Sequence, residues 1–181
     1  MPSVCLLLAE GFEEIEAITV LDVLRRADIA IKAVGVDSKT VRGSHHIVIE
    51  SDMTLTQAEA QPWDLIILPG GMPGSTHLRD DARVQALIKA QFAHGKKLAA
   101  ICAAPIALAQ AGILDGKRVT SFPSFCDQLG RVTYLEDPVV VDGQLTTSRG
   151  PATALAFALE LVTQLKGPDT TRILRQAMLV D

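Results

Sequence analysis

The residues in this sequence best suited to do chemistry are one cysteine, three glutamates and a pair of glycines. Cys102 stands in A-A-I-C-A-A-P, at the end of an apolar run and the start of a helical one. Its small neighbours Ala100, Ala103 and Ala104 would let the backbone turn sharply and leave the sulfur exposed, as at a nucleophile elbow. A helix N-terminus beside the sulfur would lower the thiol pKa and raise the thiolate fraction. The same spacing suits a core cysteine, because free cysteines are commonly buried and inert, so the residues alone leave both readings open. Glu13, Glu14 and Glu16 crowd the first turn of an earlier helical segment. One of them can turn its carboxyl toward a site, or all three can simply stabilise a helix start; spacing does not choose. Gly70-Gly71 can offer backbone N–H groups as an oxyanion hole, although G-G-M-P-G matches neither a dinucleotide nor a P-loop fingerprint.

The other candidates carry less. Cys5 lies within an apolar run and reads as inert packing, and Cys126 falls in a loop as a partly exposed thiol. His45, His46, His77 and His94 fit no metal-ligand spacing and read as surface or loop residues, so neither a metal nor a cofactor is expected.

The elements that must position these residues follow from periodicity. Val4–Ala9 and Ile29–Val36 are apolar runs of the kind a parallel strand needs when both faces are covered. Between them Ile15, Ile18, Leu21 and Leu24 recur at spacings of three, which predicts an apolar stripe and makes residues 3–36 a β-α-β unit. Residues 40–50 read as a hairpin at a sheet edge, and Trp63–Leu68 as a strand stopped by Pro69-Gly70-Gly71. Then come a helix over Ala82–Ala93, a strand over Lys97–Ile101, and a helix over Ala103–Ala111 with Pro105 in its first turn. Short β segments near Val119, Val132, Val139–Val141 and Leu145–Thr147 come next, with Asp142-Gly143 as a hairpin turn. A helix opening at Gly150-Pro151 runs to about Leu165 and a last one ends near Met178. The pattern predicts an α/β fold, a three-layer α/β/α sandwich of flavodoxin-like type with a mainly parallel sheet, as a single domain over residues 1–181. In such sheets ligands bind outside the carboxyl ends of strands, where Glu10–Glu16, Pro69–Gly71 and Cys102 are all expected to converge.

Composition narrows the function classes. With 48% hydrophobic and 21% charged residues and a formal charge of −4, the 181-residue chain has a substantial core and no basic stripe for nucleic acid. No run approaches the roughly 20 apolar residues a membrane-spanning helix needs. Three cysteines with no paired spacing, and an N-terminus without a basic n-region, make a reducing, cytoplasmic setting the expectation.

Four motifs, A-E-G-F-E-E-I-E at 9–16, I-L-P-G-G at 67–71, A-A-I-C-A-A-P at 99–105 and T-S-R-G-P-A-T at 147–153, resemble those of the DJ-1/ThiJ/PfpI superfamily over essentially the whole chain. The last helix, ending Met178-Leu179-Val180, is similar to the C-terminal addition of its DJ-1-like branch. The resemblance implies a homodimer with the first helix at the interface and Cys102 as nucleophile. It implies Glu16 as the protonated carboxyl that donates to the thiolate and lowers the thiol pKa, with Gly70, Gly71 and Ala103 around the sulfur. Arg149 is implied as a neighbour that holds loops or touches ligand.

This chain departs from the family in two places. Ala103 stands where PfpI-type peptidases carry a histidine after the cysteine, which argues against a Cys-His dyad. Phe122 stands where some DJ-1-like members carry a histidine near the site, and it cannot move protons. The activity implied is cofactor-independent glyoxalase or protein deglycase chemistry, on small reactive carbonyls or glycated side chains. The alternative is a redox sensor or chaperone acting through Cys102 oxidation. A role in thiamine biosynthesis ranks last, since nothing in the sequence resembles a nucleotide or thiazole-phosphate site.

Overall fold

A parallel strand covered on both faces must be apolar at every position. The first strand shows it: Val4, Leu6 and Leu8 enter one hydrophobic core, while Cys5, Leu7 and Ala9 enter another on the opposite face. The computed structural model describes residues 1–180. In chain order the elements are β1 (Ser3–Leu8), α1 (Glu14–Arg26), β2 (Ala30–Gly35), β3 (Thr40–Arg42), β4 (Val48–Glu50), β5 (Met53–Thr54), α2 (Leu55–Ala58), β6 (Leu65–Leu68), α3 (Gly74–Asp80) and α4 (Ala82–Ala93). After these come β7 (Lys97–Ile101), α5 (Pro105–Gln110), β8 (Arg118–Val119), β9 (Thr133–Tyr134), β10 (Val139–Asp142), β11 (Leu145–Ser148), α6 (Ala154–Lys166) and α7 (Pro168–Ala177).

Seven strands form the central sheet in the order β10-β11-β7-β6-β1-β2-β5, all parallel except β10, which pairs antiparallel with β11 across the Asp142-Gly143 turn. Helices α1, α6 and α7 supply the core on one face, and α2, α4 and α5 the core on the other, giving the three-layer sandwich. The chain winds from β1 to β2 in one direction and from β6 to β7 in the other, so the β1/β6 boundary is the switch point where open α/β sheets leave a crevice.

Several local expectations change. Residues spaced three apart rotate about 300° along a helix, so a strict three-residue repeat drifts round it, and positions 15 and 24 end about 180° apart. Ile15 and Ile18 are accordingly 56% and 40% exposed, and the buried stripe of α1 is Ala17, Val20, Leu21 and Leu24. The β3–β4 hairpin is a separate two-stranded sheet, not an edge of the main one. It is fastened to the β1–α1 connection where Gly11 N–H donates to Arg42 C=O (2.8 Å) and Ser44 N–H donates to Phe12 C=O (2.8 Å). The helix after Cys102 begins at Pro105, leaving residues 102–104 as a turn. The α6 helix begins at Ala154 after a short 3-10 turn over Pro151–Thr153. Helix α3 has no counterpart in the sequence reading because G-S-T-H-L-R-D carries no apolar periodicity.

Candidate active site

Strands β1, β6 and β7 end side by side, and the segments that leave their carboxyl ends build the site. After β7 the backbone reverses at Cys102, which adopts φ +64°, a left-handed conformation that costs a non-glycine residue about 1–3 kcal/mol. Two hydrogen bonds hold it there: Cys102 N–H donates to Ser148 C=O (3.0 Å), and Cys102 C=O accepts from Phe122 N–H (2.9 Å). Ala103 and Ala104 are fully packed beneath the turn, and the Cys102 side chain is only half-buried. This is the elbow expected from the sequence.

After β1 the chain enters α1, and its three glutamates separate. Glu16 is wholly buried; its Oε2 accepts from Gly70 N–H at 2.7 Å, while its buried Oε1 has no hydrogen-bond partner. The group with which it can share a proton is the Cys102 thiol, whose hydrogen-bonding interaction with Glu16 acts on both pKa values. Glu14 turns the other way, to the β3–β4 hairpin. It accepts from His45 N–H (2.7 Å) and Ile47 N–H (3.3 Å) and meets His45 Nδ1 at 2.9 Å. Glu13 lies between, 3.6 Å from His45 Nδ1.

After β6 come the glycines, and the structure divides the pair. Gly70 gives its N–H to Glu16, not to the sulfur. A Cβ at Gly70 would lie 2.6 Å from both Cys102 Cβ and Glu16 Oε2, so only glycine lets thiol and carboxyl meet. The N–H groups directed at the sulfur are those of Gly71 and Ala103. Of the expected glycine pair, only Gly71 faces the sulfur, together with Ala103, because the Gly70 donor is already used.

Charge in this pair is shared. Burial raises the Glu16 pKa from 4.5 to about 7, against the lowering effects of the Gly70 N–H and Cys102; the negative charge of Glu13 adds to the rise. Burial, then the charge and hydrogen bond of Glu16, push Cys102 from 9.0 up to about 12, while the N–H groups of Ala103 and Gly71 pull it down. A thiol beside an ionised Glu16 is thus suppressed, the reverse of the low pKa expected from the helix start. Two interacting groups titrate as a unit: the Glu16 carboxyl loses its proton first, near 7, and its charge then holds the Cys102 thiol protonated well above that. With the charge on sulfur instead, Glu16 is the protonated partner and still accepts from Gly70 through Oε2.

The remaining sequence candidates lie around this pair. Phe122 is 43% exposed, next to Cys102 through the backbone bond above, with no titratable atom to offer. Arg149 donates from its guanidinium to Glu136 C=O (3.1 Å), tying down the loop before β10. Cys5 is buried with its thiol pKa raised by desolvation, and Cys126 is partly exposed. The grouping that the sequence reading missed is Glu13, Glu14 and His45, whose ligand atoms lie within 4.8 Å of one another and could hold a metal ion. No spacing motif joins residue 45 to residues 13 and 14; only the hairpin's attachment to the start of α1 does.

A flavodoxin-like sheet with an elbow cysteine and a buried carboxyl at its switch point defines a class of α/β thiol proteins. The chain belongs to the DJ-1/PfpI family, whose model matches residues 2–164. The crystal structure of Drosophila melanogaster DJ-1beta superposes with a TM-score of 0.97 at 39% identity, covering 99% of this chain and 98% of that one. The structure described as Toxoplasma gondii DJ-1, oxidized, gives 0.95 at 35% identity over 99% and 98% of the two chains. A Caenorhabditis elegans relative named glutathione-independent glyoxalase DJR-1.2 is 37% identical over 93% of this chain and 91% of its own length. Among the described residues no helix is long and apolar enough to cross a membrane.

Proposed function

We propose that this protein converts small α-oxoaldehydes such as methylglyoxal to 2-hydroxy acids, with Cys102 as nucleophile, Glu16 as acid and base, and no cofactor. The observation that carries the reading is the pairing of a half-buried elbow thiol with a buried carboxyl whose Oε1 has no hydrogen-bond partner. The Cys102 thiolate adds to the aldehyde carbon, and Glu16 gives its proton to the oxygen, leaving a hemithioacetal and a carboxylate. Glu16 then removes the proton from that carbon and returns it to the neighbouring former ketone carbon, while the hydroxyl proton of the first carbon passes to the oxygen of the second. The first carbon is oxidised, the second reduced, and a thioester remains. Water cleaves it, releasing lactate and restoring the pair. The N–H groups of Gly71 and Ala103 support sulfur whenever it carries the charge. The C. elegans relative's name agrees with this chemistry. The same attack on glyoxal-derived adducts of side chains would register as deglycation.

A second reading is oxidation of Cys102 by two equivalents of peroxide, through the sulfenate to a sulfinate, with a protonated Glu16 donating to it. The relative solved in an oxidized form favours it as a parallel use of the same site. We also propose a homodimer through the first helix, supported by the exposed Ile15 and Ile18 of α1 beside the exposed Ile47 and Val48 of the hairpin. Three free cysteines suit a reducing, cytoplasmic setting.

Methylglyoxal consumption with chiral lactate detection tests the enzyme reading in wild type, Cys102→Ser and Cys126→Ser. Catalytic lactate formation lost only in Cys102→Ser is expected. Turnover surviving in Cys102→Ser, or absent from wild type, overturns it.

A further inference from the structure

Beside the elbow lies a mostly apolar cavity of about 280 Å³, walled by Phe122, Pro123, Arg149, Gly150, Pro151 and Thr153. Its two sides are joined to the reacting residue by backbone. Phe122 donates its N–H to Cys102 C=O, and the opposite wall starts one residue after Ser148, which accepts from Cys102 N–H. Phe122 presents an aromatic ring 43% exposed to solvent on this wall. Gly150 lies alongside that ring, since a Cβ there would stand 3.4 Å from Phe122 Cδ2. The charged lining residue, Arg149, has its guanidinium engaged by Glu136 C=O. Drug-sized ligands occupy pockets of about 300–1,000 Å³, so this one suits a ring-sized group and greatly exceeds the need of a methyl.

We propose that this cavity is the subsite for the substituent of the substrate, that it selects α-oxoaldehydes bearing an aryl or similarly flat apolar group, and that Phe122 is its specificity-determining residue. The proposal rests on the reading of Cys102 as the nucleophile. With both walls hydrogen-bonded to the Cys102 backbone, the cavity neighbours a substrate held at the sulfur, and the ring of Phe122 gives a flat group a stacking partner that a methyl cannot use. The position at which some relatives carry a proton-transferring histidine here serves binding.

Two measurements separate this proposal from the catalytic one, both in the Cys126→Ser background. The first compares initial-rate kcat/KM for phenylglyoxal and methylglyoxal in the otherwise wild-type protein, Phe122→Leu and Phe122→Ala. The phenyl-to-methyl ratio is expected to fall about tenfold in Phe122→Ala and by less in Phe122→Leu. The second needs no turnover: rates of Cys102 alkylation by 2-bromoacetophenone and bromoacetone, each divided by the rate with glutathione. A normalised preference for the aryl reagent that collapses in Phe122→Ala supports the subsite. No preference beyond glutathione's, or one unchanged in Phe122→Ala, overturns it. Absence of turnover with both aldehydes removes the catalytic reading, and the alkylation ratio still decides whether the subsite exists.

Discussion

Glu14 and Glu16 sit two residues apart on α1, both buried, and face opposite ways. Burial pushes the Glu14 carboxyl up, but hydrogen bonds from the His45 ring, its own N–H and the N–H groups of His45 and Ile47 outweigh that and hold it below 4.5. Glu16 has one N–H, from Gly70, and a thiol, and burial wins, raising it to about 7. The difference shows that burial alone does not decide what a carboxyl does; the number of donors supplied to its charged form does. Glu14 has become a structural acceptor that fastens a hairpin, and Glu16 has become a group that holds or releases a proton near neutrality.

Glu14→Ala has the largest expected effect, because it leaves the His45 and Ile47 N–H groups without their acceptor. Each lost bond to a charged acceptor is worth about 1.5–3 kcal/mol, so urea unfolding should show a loss of roughly 3 kcal/mol, with the hairpin amides losing exchange protection.

Glu16→Gln should act in the opposite sense and depend on pH. The folded-state pKa of Glu16 lies above its ordinary 4.5, so its contribution is fully present below about 4.5 and is lost as pH rises through about 7. The variant carries no such loss. Its stability relative to wild type should therefore climb between those limits by up to about 3 kcal/mol, measured by urea unfolding across the range. A flat difference would show that Glu16 is not proton-holding.

Gly70→Ala is the smaller intrusion. Its Cβ would meet both Cys102 Cβ and Glu16 Oε2 at 2.6 Å, so a cost of about 1–3 kcal/mol from overpacking is expected. Slower Cys102 alkylation should accompany it as thiol and carboxyl are forced apart, and an unchanged alkylation rate would show that their closeness does not matter.

These effects explain what the sequence could disclose. The buried parallel strands are legible because apolar runs have one reading in a sheet covered on both faces, and Cys102 is legible because small residues surround it at a strand-to-helix junction. The motifs name the family and, through it, Glu16. The residues alone cannot separate Glu16 from Glu13 and Glu14, because the stripe at 15, 18, 21 and 24 misplaces the inner face of α1, and Ile15 and Ile18 point outward. Nor can spacing show that Gly70 serves the carboxyl while Gly71 serves the sulfur, since both are N–H donors in one tight turn. The hairpin that partners Glu14 reads as a strand pair, but its attachment to the start of α1 is a contact between distant parts of the chain.

The central claim, that Glu16 and Cys102 share a proton with the first charge able to rest on sulfur, is tested most directly by the pH dependence of Cys102 alkylation in Cys126→Ser, with and without Glu16→Leu. With Glu16 present, the alkylation rate should rise with a midpoint near 7, where the pair first ionises. In Glu16→Leu the midpoint should move upward, because the buried thiol loses its proton-donating partner. A midpoint that starts near 12 and moves downward in Glu16→Leu would show instead that Glu16 acts only as a negative charge suppressing the thiolate, and would contradict the account.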